Sequence, residues 1–339
     1  MSRLTVLPPC DDKNILDITM NLYLYPAILV AHRQGFFRLL DTCGKSAEEI
    51  AESLDLHHRP VKALLAALRA TKLIQQDGEK FSLTVEAKTF LVEGSPNYFG
   101  SFWDLMYENS ENFSIPELEK SILTNKAQVY AQQELFDSNT TDLAKAQRFT
   151  RAMHGLSMGS ASVWPHKLDL SRHQTFLDIG GASGAHSLCA VDHWKNLRAI
   201  IYDLPEICEI AKTYITDHNK QDSISVHSGN MWSDPFPEAD IHFYSNILHD
   251  WEPEQNQMLV EKSYRSLPKG GRIIIHEILY EDDFSGPPSA AAYSIMMLGW
   301  TRGRQYSGYE LVELLRGCGF HNICTERSLG YFSIVTGVK

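Results

Sequence analysis

A chain of 339 residues in which 43% of the side chains are hydrophobic has material for a substantial core and length for two domains. Its formal net charge is -11, from 31 Lys and Arg against 42 Asp and Glu, which argues against a protein built to grip phosphate backbones, since that needs clustered cations. The six cysteines stand far apart with no Cys-x-x-Cys pair, so they read as buried free thiols in a reducing compartment, not as a disulfide framework or a zinc cluster.

The first residues, MSRLTVLPPCDDKN, carry no apolar leader segment. The longest apolar stretch, LYLYPAILVA at 22–31, is too short to span a bilayer, so a cytoplasmic protein with no membrane partner is expected. Residues 14–42 have helical apolar spacing, with interruptions expected at Pro26 and near Gly35. Ser46 with Glu49 three positions on forms a capping box, and Pro60 suits the first turn of a following helix, VKALLAALRAT. DGEKFSLT reads as a hairpin turned at Asp77 and Gly78. Helix, turn, helix and hairpin in this order describe a winged helix. Arg59, Lys62, Arg69 and Lys72 on or beside its second helix would suit DNA, whereas the apolar LLAAL of that helix favours packing or dimerisation; no nucleic-acid partner is expected.

From about 100 to 170 the pattern is helical, and includes DLAKAQRFTRAMHGLSMGSASVW. Beyond it, β-rich runs alternate with helical stretches: TFLDI, LRAIIYD, SISVHSG, ADIHFYSN and GRIIIHE, closed by NICTERS and YFSIVTGV. This alternation predicts an α/β fold with a Rossmann-like, doubly wound, mostly parallel sheet whose ligand lies at the carboxyl ends of the strands. The expected boundaries are 1–105 for the helical and winged-helix domain, 106–170 for a helical linker and 171–339 for the sheet domain.

After TFLDI comes GGASGAHS. A dinucleotide fingerprint needs G-x-G-x-x-G, and counting from Gly180 gives Ala182 and Ala185 instead. The stretch reads D-x-G-x-A-x-G, with Asp178 at the strand end and Gly180, Ala182 and Gly184 at alternate positions. The next strand ends in Asp203, an acid placed to accept ribose hydroxyls. In that order the two features favour S-adenosylmethionine over NAD, because its amino-acid tail wants an acidic neighbour and hydrogen-bond donors and it has no pyrophosphate.

Further on, GNMW and LHDW follow the third and fourth strands. With the DIGGASG loop, YDLP, the acid of HEIL and RGRQYS, they make the chain resemble the class I SAM-dependent small-molecule O-methyltransferases, a group including plant caffeate and hydroxyindole enzymes and bacterial polyketide-tailoring enzymes. The N-terminal part is similar to that family's winged-helix dimerisation domain, so the resemblance covers nearly the whole chain. It implies a seven-stranded methyltransferase sheet, a homodimer, S-adenosylmethionine as cofactor with S-adenosylhomocysteine as product, and no metal.

Residue by residue, the resemblance places Asp178, Gly180, Gly181, Ala182 and Gly184 at the cofactor loop and Asp203 and Leu204 at the ribose. Asn230 and Met231 border the adenine, Ser157 reaches the cofactor carboxylate, and Ser245 and Asn246 complete the edge. The family commonly has Asp where Asn230 stands, and Gly and Thr where Ala182 and Ser183 stand.

Removing a proton from an acceptor hydroxyl needs a base, and His249, just past the fourth strand, is the candidate. Glu277, ending the fifth strand, would orient its ring. Where the family often carries a second carboxylate, this chain has Gln305, which can position the ring but cannot stabilise an imidazolium as Glu does. Asp250 reads as a cap or cofactor-side contact. Trp103, Met106, Tyr107, Met153, Tyr293, Met296, Met297 and Trp300 are expected to line the pocket of a planar, hydrophobic acceptor carrying a phenolic or enolic hydroxyl. Tyr293 stands where the family often has Asp. Carbon or nitrogen methylation, or a non-methylating reaction on the same fold, is the alternative within the fold. A winged-helix, ligand-sensing regulator is the alternative from another class.

Overall fold

The computed structural model describes residues 7–129 and 142–339. The chain divides into two compact units, Met1–Asp104 and Leu105–Lys339. The middle of the helical stretch expected over 100–170 lies outside the described residues.

The first unit starts with α1 (Lys13–Arg33), turns at Gly35, where φ is +83°, and continues as α2 (Phe36–Asp41). The expected interruption at Pro26 is absent: α1 runs through it. A helical proline removes the bond to the carbonyl four residues back, here that of Leu22, whose residue is exposed, so the orphaned oxygen sits on an open turn. Counting only 22–31 therefore understated the apolar segment. Over its 21 residues α1 is, by length and composition, long and apolar enough to cross a membrane. Ile28, Leu29 and Ala31 are buried, while Ile15, Leu16, Ile18, Leu22 and Tyr23 are exposed.

Ser46 caps α3 (Ala47–Ser53) in the capping box expected, and α4 (His58–Ala70) leads into the hairpin of β1 (Ile74–Asp77) and β2 (Lys80–Leu83). Leu40, Ile50, Val61, Leu65, Leu68 and Leu83 form its core. The four cations near α4 are exposed, but Lys62 faces Glu48 at 3.9 Å, and the cleft that Lys62 and Arg69 line also carries Glu48 and Glu79. Then come α5 (Val85–Leu91) and α6 (Gly100–Glu108). Trp103, expected at the acceptor pocket, packs edge-on to His32 with ring centres 5.6 Å apart and against Phe37.

In the second unit α7 (Ile115–Thr124) and α8 (Leu143–Ala161) precede the sheet. Its strands are β3 (Thr175–Ile179), β4 (Arg198–Asp203), β5 (Ile224–Ser228), β6 (Ile241–Ser245), β7 (Arg272–Ile278), β8 (His321–Arg327) and β9 (Phe332–Val338), in the order β5-β4-β3-β6-β7-β9-β8. The pairs from β5 to β7 are parallel, and β9 lies antiparallel between β7 and β8. Both faces are covered, which is why the central strands read as nearly unbroken apolar runs. Leu177, Tyr244, Ile273 and Ile275 point into one core and Phe176, Phe243, Ile274 and Ile334 into the other. Winding reverses between β3 and β6, so their carboxyl ends flank the crevice in which such sheets bind ligands.

The cysteines are all free, as expected, but Cys10, Cys43 and Cys324 are exposed, contrary to the expectation of burial.

Candidate active site

The crevice is floored by the loop joining β3 to α9 (Ala185–His193). Gly180, Ala182 and Gly184 all have positive φ, at +67°, +48° and +75°. A Cβ on Gly180 would meet the terminal methyl of Ile247, and one on Gly184 that of Ile201, and the positive φ strains any larger residue at either position. Ala182 holds a left-handed conformation at a cost in strain, and its N–H donates to Asp203 Oδ2 at 2.9 Å. The other oxygen of Asp203 accepts the N–H of Leu204 at 2.8 Å, and burial pushes this carboxyl up to about 6 against those bonds. The loop and the end of β4 thus form one hydrogen-bonded cradle, with Leu204 half-buried ahead of α10 (Pro205–Asp217).

Asp178 is not on the open side of this cradle. It is only 2% exposed, lies beneath Gly181 and accepts Ser187 Oγ–H at 2.7 Å, so it supports the loop from below. Burial pushes it up to about 7. Its side-chain partner is therefore Ser187, with the loop backbone between it and the open side of the cradle. Asn230 is exposed, and its amide oxygen, expected to face an adenine, already accepts the N–H of Trp232 at 2.9 Å in a local turn. Met231 is half-buried, and its carbonyl accepts Lys262 Nζ at 2.6 Å.

Ser245, half-buried at the end of β6, holds His276 Nδ1 at 3.0 Å. Asn246 has φ of +53° and a buried, unpartnered Oδ1, an acceptor turned inward at the crevice edge. On α8, Met153 and Ser157 are half-buried. His154 between them, not expected from sequence, reaches across to the loop with Nδ1 2.8 Å from Ser183 Oγ. Its position one turn from Ser157 on the same helix was the available signal.

His249 lies in a single 3-10 turn, Leu248–Asp250, just past β6, and is 4% exposed. Its Nδ1 is 3.3 Å from Glu277 Oε2 and 2.9 Å from Gln305 Nε2, so the structure brings all three expected residues together. Glu277 Oε1 also accepts the N–H groups of Ile247 and Leu248, at 3.1 and 3.2 Å, and so pins the turn that carries the histidine. Burial pulls His249 down to about 4 and pushes Glu277 up to about 8.

Asp250 is no helix cap: Glu252 caps α11 (Pro253–Ser266), while Asp250 is 8% exposed with Oδ1 3.7 Å from His249 Nε2. Burial and the neighbouring Glu277 hold it well above the usual carboxylate range. Tyr293, on α12 (Pro288–Trp300), stands edge-on to the imidazole with ring centres 5.3 Å apart. Of the other expected pocket residues, Met106, Met297 and Trp300 are core, Trp300 packing on Phe113 and Phe149; Met296 is half-buried and Tyr107 exposed.

The profile of the O-methyltransferase domain matches residues 116–321. The chain is 29% identical over 330 residues to the 3-hydroxy-5-methyl-1-naphthoate 3-O-methyltransferase of Streptomyces sahachiroi, covering 96% of this chain and 94% of that one. It is likewise 29% identical over 325 residues to the acetylserotonin O-methyltransferase of Bos taurus, covering 92% and 93%. Among solved structures, human N-acetylserotonin methyltransferase in complex with SAM superposes with a TM-score of 0.85 at 22% identity, covering 98% of this chain and 99% of that one. The chain belongs to the O-methyltransferase family and is a methyltransferase with that family's fold.

Proposed function

We propose that the protein transfers a methyl group from S-adenosylmethionine to a phenolic or enolic hydroxyl of a small aromatic or polyketide-like compound, with His249 as general base. The observation that carries this reading is the placement of His249, clasped by Glu277 and Gln305, beside a cradle whose two glycines hold left-handed backbone and whose strand-end acid is Asp203. Both curated relatives are named for O-methylation of small aromatic molecules, which supports the acceptor class.

Asp203 and the backbone of Gly180 to Gly184 would hold the nucleoside, with Met231 beside the adenine and Ser157, Ser245 and Asn246 toward the amino-acid tail. S-adenosylmethionine, when bound, supplies an electrophilic methyl group. The chain's own task is to align the acceptor and receive its proton, and His249 Nε2 is the receiving atom because Nδ1 is committed to Glu277 and Gln305. The enclosure of His249 keeps water from competing for the methyl group.

The test is His249→Ala, assayed by product mass and by calorimetric titration with S-adenosylmethionine and S-adenosylhomocysteine, with NAD as control. Turnover should fall by about 10² to 10⁴ with cofactor binding retained. Full turnover in the folded variant would refute the base assignment. The second reading, motivated by Gln305 and Tyr293, is carbon or nitrogen methylation or a reaction without methyl transfer: product mass separates the last of these, and NMR of the product locates the new methyl group on oxygen, carbon or nitrogen.

We further propose that the protein is a cytoplasmic homodimer that buries the exposed apolar residues of α1 between copies, a reading supported by Ile15, Leu16, Ile18, Leu22 and Tyr23. Sedimentation at micromolar concentration should give a dimer, reduced to monomer by Leu16→Glu with Leu22→Glu.

A further inference from the structure

Around His249 the hydrogen-bonding atoms do not balance with the Gln305 amide nitrogen facing the ring. The Gln305 atom 2.9 Å from His249 Nδ1 is the amide nitrogen, which can only donate. A ring nitrogen facing a donor must present its lone pair, which places the ring proton on Nε2 and leaves the histidine unable to accept a proton there. Meanwhile two buried oxygens beside the ring, Gln305 Oε1 and Glu277 Oε2, have no hydrogen-bond donor. Buried acceptors without donors are rare and costly.

The two ends of a glutamine amide have nearly the same shape, and their assignment follows from the surrounding hydrogen bonds. A half-turn of the Gln305 amide exchanges its two ends within nearly the same shape and sets Oε1 against His249 Nδ1. The ring then carries its proton on Nδ1, donates it to Gln305 Oε1 with Glu277 Oε2 alongside, and directs the Nε2 lone pair toward Asp250 and the crevice. Gln305 is fixed for this role: it is fully buried, and its own N–H donates to Ser294 Oγ at 3.2 Å.

We propose that Gln305 is a positioning residue that, through its amide oxygen, locks His249 in the Nδ1–H form, and that its neutrality leaves the imidazolium without a charged partner at that position. The inference rests on the reading of His249 as the base. The groups facing the imidazole are Glu277 from β7, Asp250 and the Asn246 carbonyl from its own turn, Tyr293 from α12 and Gln305 from the segment after it. Glu277 alone does not suffice as acceptor near neutral pH, because its burial favours the protonated carboxyl, whose hydrogen would compete for Nδ1.

The experiment is nitrogen NMR of the full-length protein labelled with ¹⁵N-histidine, with the His249 ring assigned by its loss in His249→Gln. The ring shifts distinguish the two neutral forms without any acceptor substrate. The wild type should show a protonated Nδ1 and a bare Nε2. Gln305→Met should transfer population to the Nε2–H form, and Gln305→Glu should restore Nδ1–H while raising the pKa of His249 by about 1 to 3 units, as an adjacent carboxylate does. Wild-type protein with its proton on Nε2 would overturn the proposal, as would a His249 spectrum and titration unchanged in both folded variants. Loss of activity in His249→Ala together with either of those results would leave the base assignment standing and remove only the role given to Gln305.

Discussion

Asp203 accepts the backbone N–H of Ala182 at 2.9 Å, so the acid that ends one strand holds in place the left-handed turn that follows its neighbour. On the function proposed above, the carboxylate that shapes the cradle also receives the ribose hydroxyls. Asp203→Asn should therefore weaken S-adenosylmethionine binding by about 10- to 100-fold, the equivalent of one charge-assisted hydrogen bond. Calorimetric titration of the variant against wild type measures it, and an unchanged Kd would remove Asp203 from the cofactor site.

Gly184 combines a φ of +75° with a side-chain direction that meets the terminal methyl of Ile201. Gly184→Ala should cost about 1 to 2 kcal/mol from the left-handed backbone alone, and more from the collision. A lowered melting temperature with weaker cofactor binding is expected. Ile201→Val combined with Gly184→Ala should recover part of the loss, because it removes the atom that the new Cβ meets.

His276 is fully buried, stacked on Phe332 with ring centres 4.9 Å apart, and burial holds it down to about 3 against 6.5 for a free histidine. The unfolded chain takes up a proton near pH 6.5 that the folded chain refuses. The stability associated with this group is thus present above pH 6.5 and is lost as the pH falls toward 3. Between pH 6.5 and 4.5 the wild type should lose roughly 2 to 3 kcal/mol more than His276→Phe. Denaturant titrations of both proteins at the two pH values check the difference, and parallel losses would refute it.

Glu277 carries the opposite sign. Its carboxyl is raised from 4.5 to about 8, so the stability tied to its protonated form is fully present below 4.5 and is lost as the pH rises through 8. Glu277→Gln should become more stable relative to wild type as the pH climbs from 6 to 9, while turning over more slowly because an amide NH2, which can only donate, replaces the oxygen that faces His249 Nδ1. Melting curves across that range, paired with a rate measurement, test both halves. A stability difference that does not change with pH would show that Glu277 is already ionised in the fold.

The alternation of buried strands and helices was legible because strands covered on both faces must be apolar throughout, as in GRIIIHE. The loop, Asp203, His249, Glu277 and Gln305 could be singled out as candidates because each stands at a strand end or in a short motif. What depended on packing between distant segments could not. Asp178 occupies the expected position, yet its side chain turns under the loop to Ser187, a direction set by α9 and not by the motif. Asp250 is buried beside the imidazole because the real helix cap comes two residues later, at Glu252. The His154 contact with Ser183 joins residues 29 apart, and locally only the spacing of His154 from Ser157 hinted at it. Pro26 misled for a related reason: the penalty for a helical proline depends on what surrounds the carbonyl it orphans, and that of Leu22 belongs to an exposed turn.

Strand β9 is later in the chain than β8 but lies inside it, pairing with β7 on one side and β8 on the other, with Glu277 opposite Ser333. During synthesis, the strand that carries Glu277 leaves the ribosome more than fifty residues ahead of the strand that covers its free edge. Until then β7 presents an apolar row of unpaired backbone groups, the kind of edge that other chains can extend. A stalled or truncated product lacking Phe332–Val338 would retain the Gly180–Gly184 loop and His249 yet leave the edge of β7 open to aggregation. Delivery of the final strand is thus the step that turns an adhesive nascent sheet into a closed one.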